Sequence, residues 1–316
     1  MSEITHRTIE TNGIHMRIAE AGEGPLVLLL HGFPELWYSW RHQLPALAAA
    51  GYRAVAPDVR GYGGTDAPEA IDSYTMLDHV ADAVGVLDAL GEESAVIVGH
   101  DWGAPMAWHG ALLHPERFPA VAALSVPYTP RPPAPPTQLM KRLFQDRFFY
   151  MLYFQEPGLA EAELEADVRR SMRLMLYDAS GDAPRSAWQA QRPKDAKLLD
   201  EMRDPERLPP WLTEADIDCY TAEFERTGFR GGLNRYRNMD RDWEQSAHLA
   251  GATVQQPALF VAGERDGVLR FTGTDAMKAS VPNLRNVVIL PACGHWTQQE
   301  RPAEVNSALI EFLKAL

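Results

Sequence analysis

The sequence predicts a doubly wound, mostly parallel α/β sheet carrying an inserted helical cap. Short, nearly continuous apolar runs recur along the chain, the pattern of parallel strands buried on both faces. Helical patterns lie between them, which is the signature of a sheet with helices on its two sides. The alternation stops at Pro127 and resumes near Gln256, leaving room for an insertion.

Ile14, Met16 and Ile18 alternate with polar neighbours after the pair Asn12-Gly13, so the chain opens with a half-buried hairpin at a sheet edge. The apolar runs are Leu26 to Leu30, Tyr52 to Pro57, Ala95 to Val98, Val121 to Val126, Ala258 to Ala262 and Val287 to Leu290. One intervening helix is predicted to present Leu77, Val80, Ala81, Val84 and Leu87 on one face, and the last helix Val305, Ala308, Leu309, Phe312 and Leu313. Pro302 falls early in that last helix, where its missing N–H costs little. The prolines between Pro127 and Pro136 form a stiff connector, and Ala160 to Leu176 beyond it is amphipathic and helical. The expected division is a core of residues 1–127 and 251–316 and a cap of residues 128–250.

Composition narrows the function. The 316 residues are 46% hydrophobic and 23% charged, an ordinary globular balance, and carry a net charge of −13. That charge disfavours nucleic acid and anionic lipid as partners. Cys219 and Cys293 stand far apart, implying neither a disulfide framework nor a zinc site. The first ten residues lack the basic and apolar stretches of a signal peptide, and no run approaches the ~20 residues that span a bilayer. A cytoplasmic, unanchored protein is expected, with a small molecule as partner; a homodimer through an exposed cap face is compatible with the sequence.

The chemistry concentrates at Gly99-His100-Asp101-Trp102-Gly103. Small residues flank Asp101 because a sharp strand-to-helix turn crowds the backbone and lifts one side chain above the sheet. A carboxylate needs no deprotonation to attack carbon, and the helix N-terminus beneath favours its charge. Asp101 also suits a plain N-cap, but its place after a central strand of the sheet, where ligands bind, favours a nucleophile. The ester so formed requires a base. His295, in Cys293-Gly294-His295-Trp296, follows the last strand, whereas His31 reads as a structural imidazole and His100 points away from Asp101 by strand alternation. Asp266 is favoured over Glu264 as the acid that orients the base, being farther into the loop and followed by glycine. No acid stands at the end of the preceding strand, Ser125-Val126-Pro127.

Nucleophile, acid and base thus follow the chain order of the α/β-hydrolases. The chain resembles the soluble epoxide hydrolases of that fold along nearly its whole length. The resemblance rests on His31-Gly32-Phe33-Pro34-Glu35, Asp58-Val59-Arg60-Gly61-Tyr62-Gly63, Gly99 to Gly103, Tyr153-Phe154-Gln155-Glu156-Pro157-Gly158, Leu233-Asn234-Arg235-Tyr236-Arg237-Asn238-Met239 and Cys293 to Gln298. The first three are shared widely with neighbouring hydrolases; the two cap segments are the specific ones. The resemblance implies that cap tyrosines Tyr150 and Tyr236 hold and protonate an epoxide oxygen, with Tyr153 a competitor one helical turn from Tyr150. It also implies an oxyanion site made by the backbone N–H groups of Phe33 and Trp102. Phe33, Trp37, Trp102, Phe149 and Trp296 are pocket-wall candidates that suit an ordinary core equally.

The expected reaction is therefore hydrolysis of an epoxide by water through an ester on Asp101, with no metal or organic cofactor. Two alternatives share the fold. A haloalkane dehalogenase would use the same aspartate, but its relatives often carry asparagine where this chain has Phe33, and it has no use for paired cap tyrosines. A ligand-binding protein would be free to lose the nucleophile, base and acid that are all present here.

Overall fold

A computed structural model describes residues 3–184 and 192–316. The chain opens as a hairpin, β1 (Thr5–Thr11) and β2 (Ile14–Ala21), and its two-residue turn places Asn12 at φ +44° and Gly13 at φ +76°. Such a left-handed pair matches the twist of the strands it joins. β3 (Leu26–Leu30), α1 (Gln43–Ala49), β4 (Arg53–Pro57), α2 (Met76–Leu90), β5 (Val96–His100), α3 (Gly103–Leu113) and β6 (Ala120–Leu124) follow. Among the described residues the chain then forms the α-helices α4 (Pro136–Phe144), α5 (Tyr150–Tyr153), α6 (Leu159–Leu164), α7 (Val168–Asp178), α8 (Glu214–Thr227), α9 (Arg230–Arg237) and α10 (Met239–Gln245). It returns through β7 (Ala258–Gly263), α11 (Gly267–Thr272), α12 (Asp275–Ser280), β8 (Leu284–Leu290), α13 (Thr297–Glu300) and α14 (Pro302–Lys314).

The described strands form one sheet in the order β1-β2-β4-β3-β5-β6-β7-β8. β2 runs antiparallel to both β1 and β4, and the remaining neighbours are parallel. Alternation along the central strands divides the core between two faces. Leu28, Ile97 and Val121 pack with Val80 and Leu87 of α2 and Trp108 of α3. Val27, Val98 and Ala122 pack with Leu44 and Leu47 of α1 and Leu309 and Phe312 of α14. Each such fully buried Val or Leu contributes roughly 1.5–3 kcal/mol of transfer free energy.

Three expectations need correction. The last strand, β8, is not buried on both faces: Ile289 is 44% exposed, because β8 is the edge strand, and an apolar run does not distinguish an edge from a centre. α2 buries Met76, His79, Val80, Ala83, Val86 and Leu87, while Leu77 is exposed. The helical spacing was right and the face was rotated, since a buried histidine and alanine disguise the true stripe. Residues 160–176 are not one helix: a 3₁₀ turn at Glu165–Asp167 separates α6 from α7, and Asp167 restarts the helix by accepting from the Arg170 N–H at 2.9 Å.

The inserted helices pack over the carboxyl ends of the strands. The end of α7 touches the loop after β8, where the His295 N–H donates to the Ala179 carbonyl at 2.9 Å. α9 reaches the loop after β3, where the Tyr236 ring lies 5.6 Å from that of Phe33. Chemistry-bearing loops and insertion thus face one another. Among the described residues no helix is long and apolar enough to cross a membrane.

Candidate active site

Asp101 occupies the tight turn between β5 and α3 with φ +49°, a conformation that costs a non-glycine residue free energy and clusters at functional sites. Tight packing enforces it. A Cβ on Gly103 would overlap the Leu30 carbonyl, and one on Gly32 would overlap Asp101 Oδ1 and come within 2.5 Å of the Trp102 nitrogen. Asp101 does not cap α3; its Oδ1 instead accepts from the Phe33 N–H at 2.7 Å.

Its other oxygen faces the base. His295 Nε2 lies 3.3 Å from Asp101 Oδ2, and His295 Nδ1 lies 3.0 Å from Asp266 Oδ2. Asp266 is 1% exposed, and its Oδ1 accepts from the Val268 N–H at 2.8 Å, so one carboxylate both caps α11 and fixes the imidazole. Glu264 lies on the exposed side of the loop, where it accepts from the Ala292 N–H. Burial disfavours charge on His295, but the carboxylates of Asp266 and Asp101 outweigh it and raise its pKa well above the ordinary value.

The two tyrosines close the site from the insertion. Tyr236 is 3% exposed and packs edge-on against Phe33, Trp102 and Phe154. Tyr150 lies 6.0 Å from it between ring centres. Burial, then the charge of Asp101, raises both phenol pKa values, so each hydroxyl is a proton donor at neutral pH. Tyr153 is engaged elsewhere, donating to Glu163 Oε2 at 2.7 Å. Tyr153 thus has its partner on the Glu163 side, whereas Tyr150 packs against Tyr236.

Four of the five pocket-wall candidates touch these groups. Phe33 and Trp102 contact Tyr236, Phe149 lies edge-on to Tyr150, and Trp296 packs 4.8 Å from the His295 ring. Trp296 is also core, 2% exposed, with its indole N–H on the Leu176 carbonyl. Trp37 is corrected: it packs edge-on against His6 of β1 and against Tyr38, because its 3₁₀ turn directs it toward the β1 edge. A cavity of about 260 Å³ abuts Trp102, lined by Met76, Leu112, Tyr128, Met239 and Trp243. The larger cleft of about 1050 Å³, walled by Glu161, Glu165, Arg226 and Arg230, contains none of the residues above.

Sequence reasoning missed the support behind the base. His31 is structural as expected, bonding Gly32 O and accepting from the Val59 N–H. His100 does point away from Asp101, yet its Nδ1 lies 2.6 Å from Glu35 Oε2 and its Nε2 2.8 Å from the His295 carbonyl. One imidazole thus links the Glu35 carboxyl to the main chain of the base. Burial alone would raise the Glu35 carboxyl, but the neighbouring His100 and His31 imidazoles and the Gly32 N–H outweigh it and hold it down at about 2. Ser125 Oγ donates to the same His295 carbonyl, and Glu300 accepts from the Gly181, Gly294 and Trp296 N–H groups. The signal for Glu35 lay in its place within His31 to Glu35; nothing local announced Ser125 or Glu300.

A mostly parallel sheet whose sharp turn carries an aspartate, linked through one histidine to a second buried carboxylate, defines an α/β-hydrolase. The family model for the alpha/beta hydrolase fold matches residues 25–302. The chain is 51% identical to epoxide hydrolase A of Mycobacterium tuberculosis, over 100% of this chain and 99% of that one. It is 46% identical to epoxide hydrolase 3 of Siraitia grosvenorii, over 99% of each. The crystal structure of epoxide hydrolase A from Mycobacterium thermoresistibile superposes with a TM-score of 0.95 at 53% identity, covering 99% of this chain and 98% of that one. The chain belongs to the epoxide hydrolases of the α/β-hydrolase fold.

Proposed function

We propose that this protein converts an epoxide and water to a vicinal diol through an ester on Asp101. The observation that carries the reading is the division of labour between the two oxygens of that carboxylate. Oδ1 is held by the Phe33 N–H, while Oδ2 is turned toward His295. Oδ2 attacks a ring carbon, the carbon–oxygen bond of the ring breaks, and its oxygen takes a proton from Tyr150 or Tyr236.

Esterification removes the Asp101 charge, one of the two that keep His295 protonated. His295 then returns its proton to the tyrosinate and becomes a neutral base held by Asp266. It takes a proton from water as the water oxygen attacks Cγ of Asp101, and the resulting oxyanion on Oδ1 lies at the Phe33 N–H, with the Trp102 N–H the second donor that the family resemblance implies. Collapse breaks the Cγ–Oδ2 bond, and the leaving alkoxide takes the proton of the new carboxyl group. The diol departs, leaving Asp101 anionic, His295 protonated and both tyrosines neutral, as at the start. The aromatic rings around the reacting groups, Phe33, Trp102 and Phe154 against Tyr236 and Phe149 against Tyr150, favour epoxides with hydrocarbon substituents.

Diol formation from a panel of aryl and alkyl epoxides, beside halide release from 1-haloalkanes, tests the reading. Diol from the wild type and none from Asp101→Ala is expected. Halide release without diol overturns it.

A further inference from the structure

Tyr150 begins a helix that cannot hold itself. α5 has four residues, none of them fully buried, and an isolated turn of helix has no intrinsic stability. Tyr236 lies near the end of α9, where only the capping Asn238 N–H reaches the Arg235 and Tyr236 carbonyls from within the helix end. The two phenols act on one oxygen only if these segments are held in register, and the register must come from contacts between them.

One side chain makes the link at the backbone. Gln155 Nε2 donates to the Met151 carbonyl at 2.8 Å and to the Tyr236 carbonyl at 3.0 Å. Both hydrogens of a single amide thus join the residue after Tyr150 to Tyr236 itself. Arg237 reinforces the joint, donating from Nε to the Phe154 carbonyl at 3.0 Å while paired with Glu161 at 2.7 Å. Phe154, fully buried, fills the space between the tyrosines, 5.6 Å from Tyr150 and 4.9 Å from Tyr236. On the other side of α5, Glu163 accepts from Tyr153 and from the Leu198 and Leu199 N–H groups, fixing the rotation of the turn. The two cap segments that stand out in the sequence, Tyr153 to Gly158 and Leu233 to Met239, are therefore the two halves of one fastening.

We infer that Gln155 is a positioning residue for ring opening, setting the separation of Tyr150 and Tyr236 by joining the backbones that carry them. The inference rests on the proposed role of the two tyrosines. It assigns Gln155 to one half of the reaction: Asp266, His295 and the oxyanion site lie on core loops that Gln155 does not touch.

The test is single-turnover kinetics followed by tryptophan fluorescence, with Trp102 and Trp296 beside the reacting groups, resolving ester formation from ester hydrolysis. Gln155→Leu and Gln155→Glu both remove donation to the two carbonyls, and the second keeps the size of the side chain should the first fail to fold. Ester formation slowed by about tenfold or more, with ester hydrolysis at the wild-type rate, is expected, since a small misplacement of a reacting group costs up to about 10²-fold. In a Tyr236→Phe background Gln155→Glu should slow ester formation further by much less, because both changes remove the same contribution. Equal slowing of both steps, full additivity with Tyr236→Phe, or an unchanged rate of ester formation overturns the inference. If Tyr150→Phe and Tyr236→Phe themselves leave ester formation unchanged, the proposed role of the tyrosines is at fault instead.

Discussion

His295 Nε2 stands 3.3 Å from Oδ2 of Asp101, on the carboxylate oxygen opposite the one held by the Phe33 N–H. The contact gives the histidine two successive states. Beside an anionic Asp101 it is held protonated; in the proposed mechanism esterification of Asp101 removes that attraction and frees the imidazole to act as a base.

Replacing His295 with glutamine removes the base and leaves the nucleophile. The variant should form the ester and retain it, and intact mass after epoxide treatment should show one substrate added at Asp101. An unmodified mass after prolonged treatment contradicts the assignment of His295.

Tyr150→Phe or Tyr236→Phe alone should slow ring opening, by about 10²-fold for loss of a positioned acid, and the double variant should nearly abolish it. Burial and the Asp101 charge hold both phenols above their ordinary value of 10. The wild-type rate of ester formation should therefore not decline as pH is raised through 10, as measured by stopped-flow fluorescence.

The Glu35 and His100 pair should govern acid stability. The Glu35 carboxyl is lowered from 4.5 to about 2 on folding, so its contribution is full above 4.5 and is lost as pH falls through about 2. Glu35→Gln removes the buried carboxylate that the Gly32 N–H, Gln298 and His100 contact, and should cost about 1–3 kcal/mol at neutral pH. In urea titrations the variant should also lose less stability than the wild type between pH 4.5 and 2; an equal loss in both proteins rules out this linkage.

Gly32→Ala tests the crowding at the turn. The added methyl overlaps Asp101 Oδ1 and approaches Trp102 N, displacing the nucleophile from its N–H donor. Ester formation should fall by about 10²-fold while the circular dichroism spectrum stays that of the wild type.

Much of this arrangement was legible in the chain. Asp101, Asp266 and His295 each follow a strand, and the ends of parallel strands converge, so three positions far apart in sequence could be placed together. Strand alternation likewise showed where His100 does not point. It could not show that His100 meets Glu35 and the His295 carbonyl, since that contact joins the end of β5 to two separate loops. Spacing alone left Tyr153 a competitor to Tyr150, which the family resemblance favoured; that Tyr153 is engaged by Glu163, ten residues away on another helix, was not legible in the chain. Trp37 was misplaced for a related reason: an aromatic residue in a loop does not disclose which wall it joins.

The central claim is that the oxygen delivered to the substrate comes from Asp101 rather than directly from water. A single turnover with enzyme in excess, in water enriched in ¹⁸O, followed by mass analysis of the diol and of the peptide containing Asp101, tests it most directly. Label in the Asp101 carboxylate and none in the first diol is the predicted result. Label in the first diol, with the peptide unlabelled, would mean that water attacks the epoxide itself and would contradict the account.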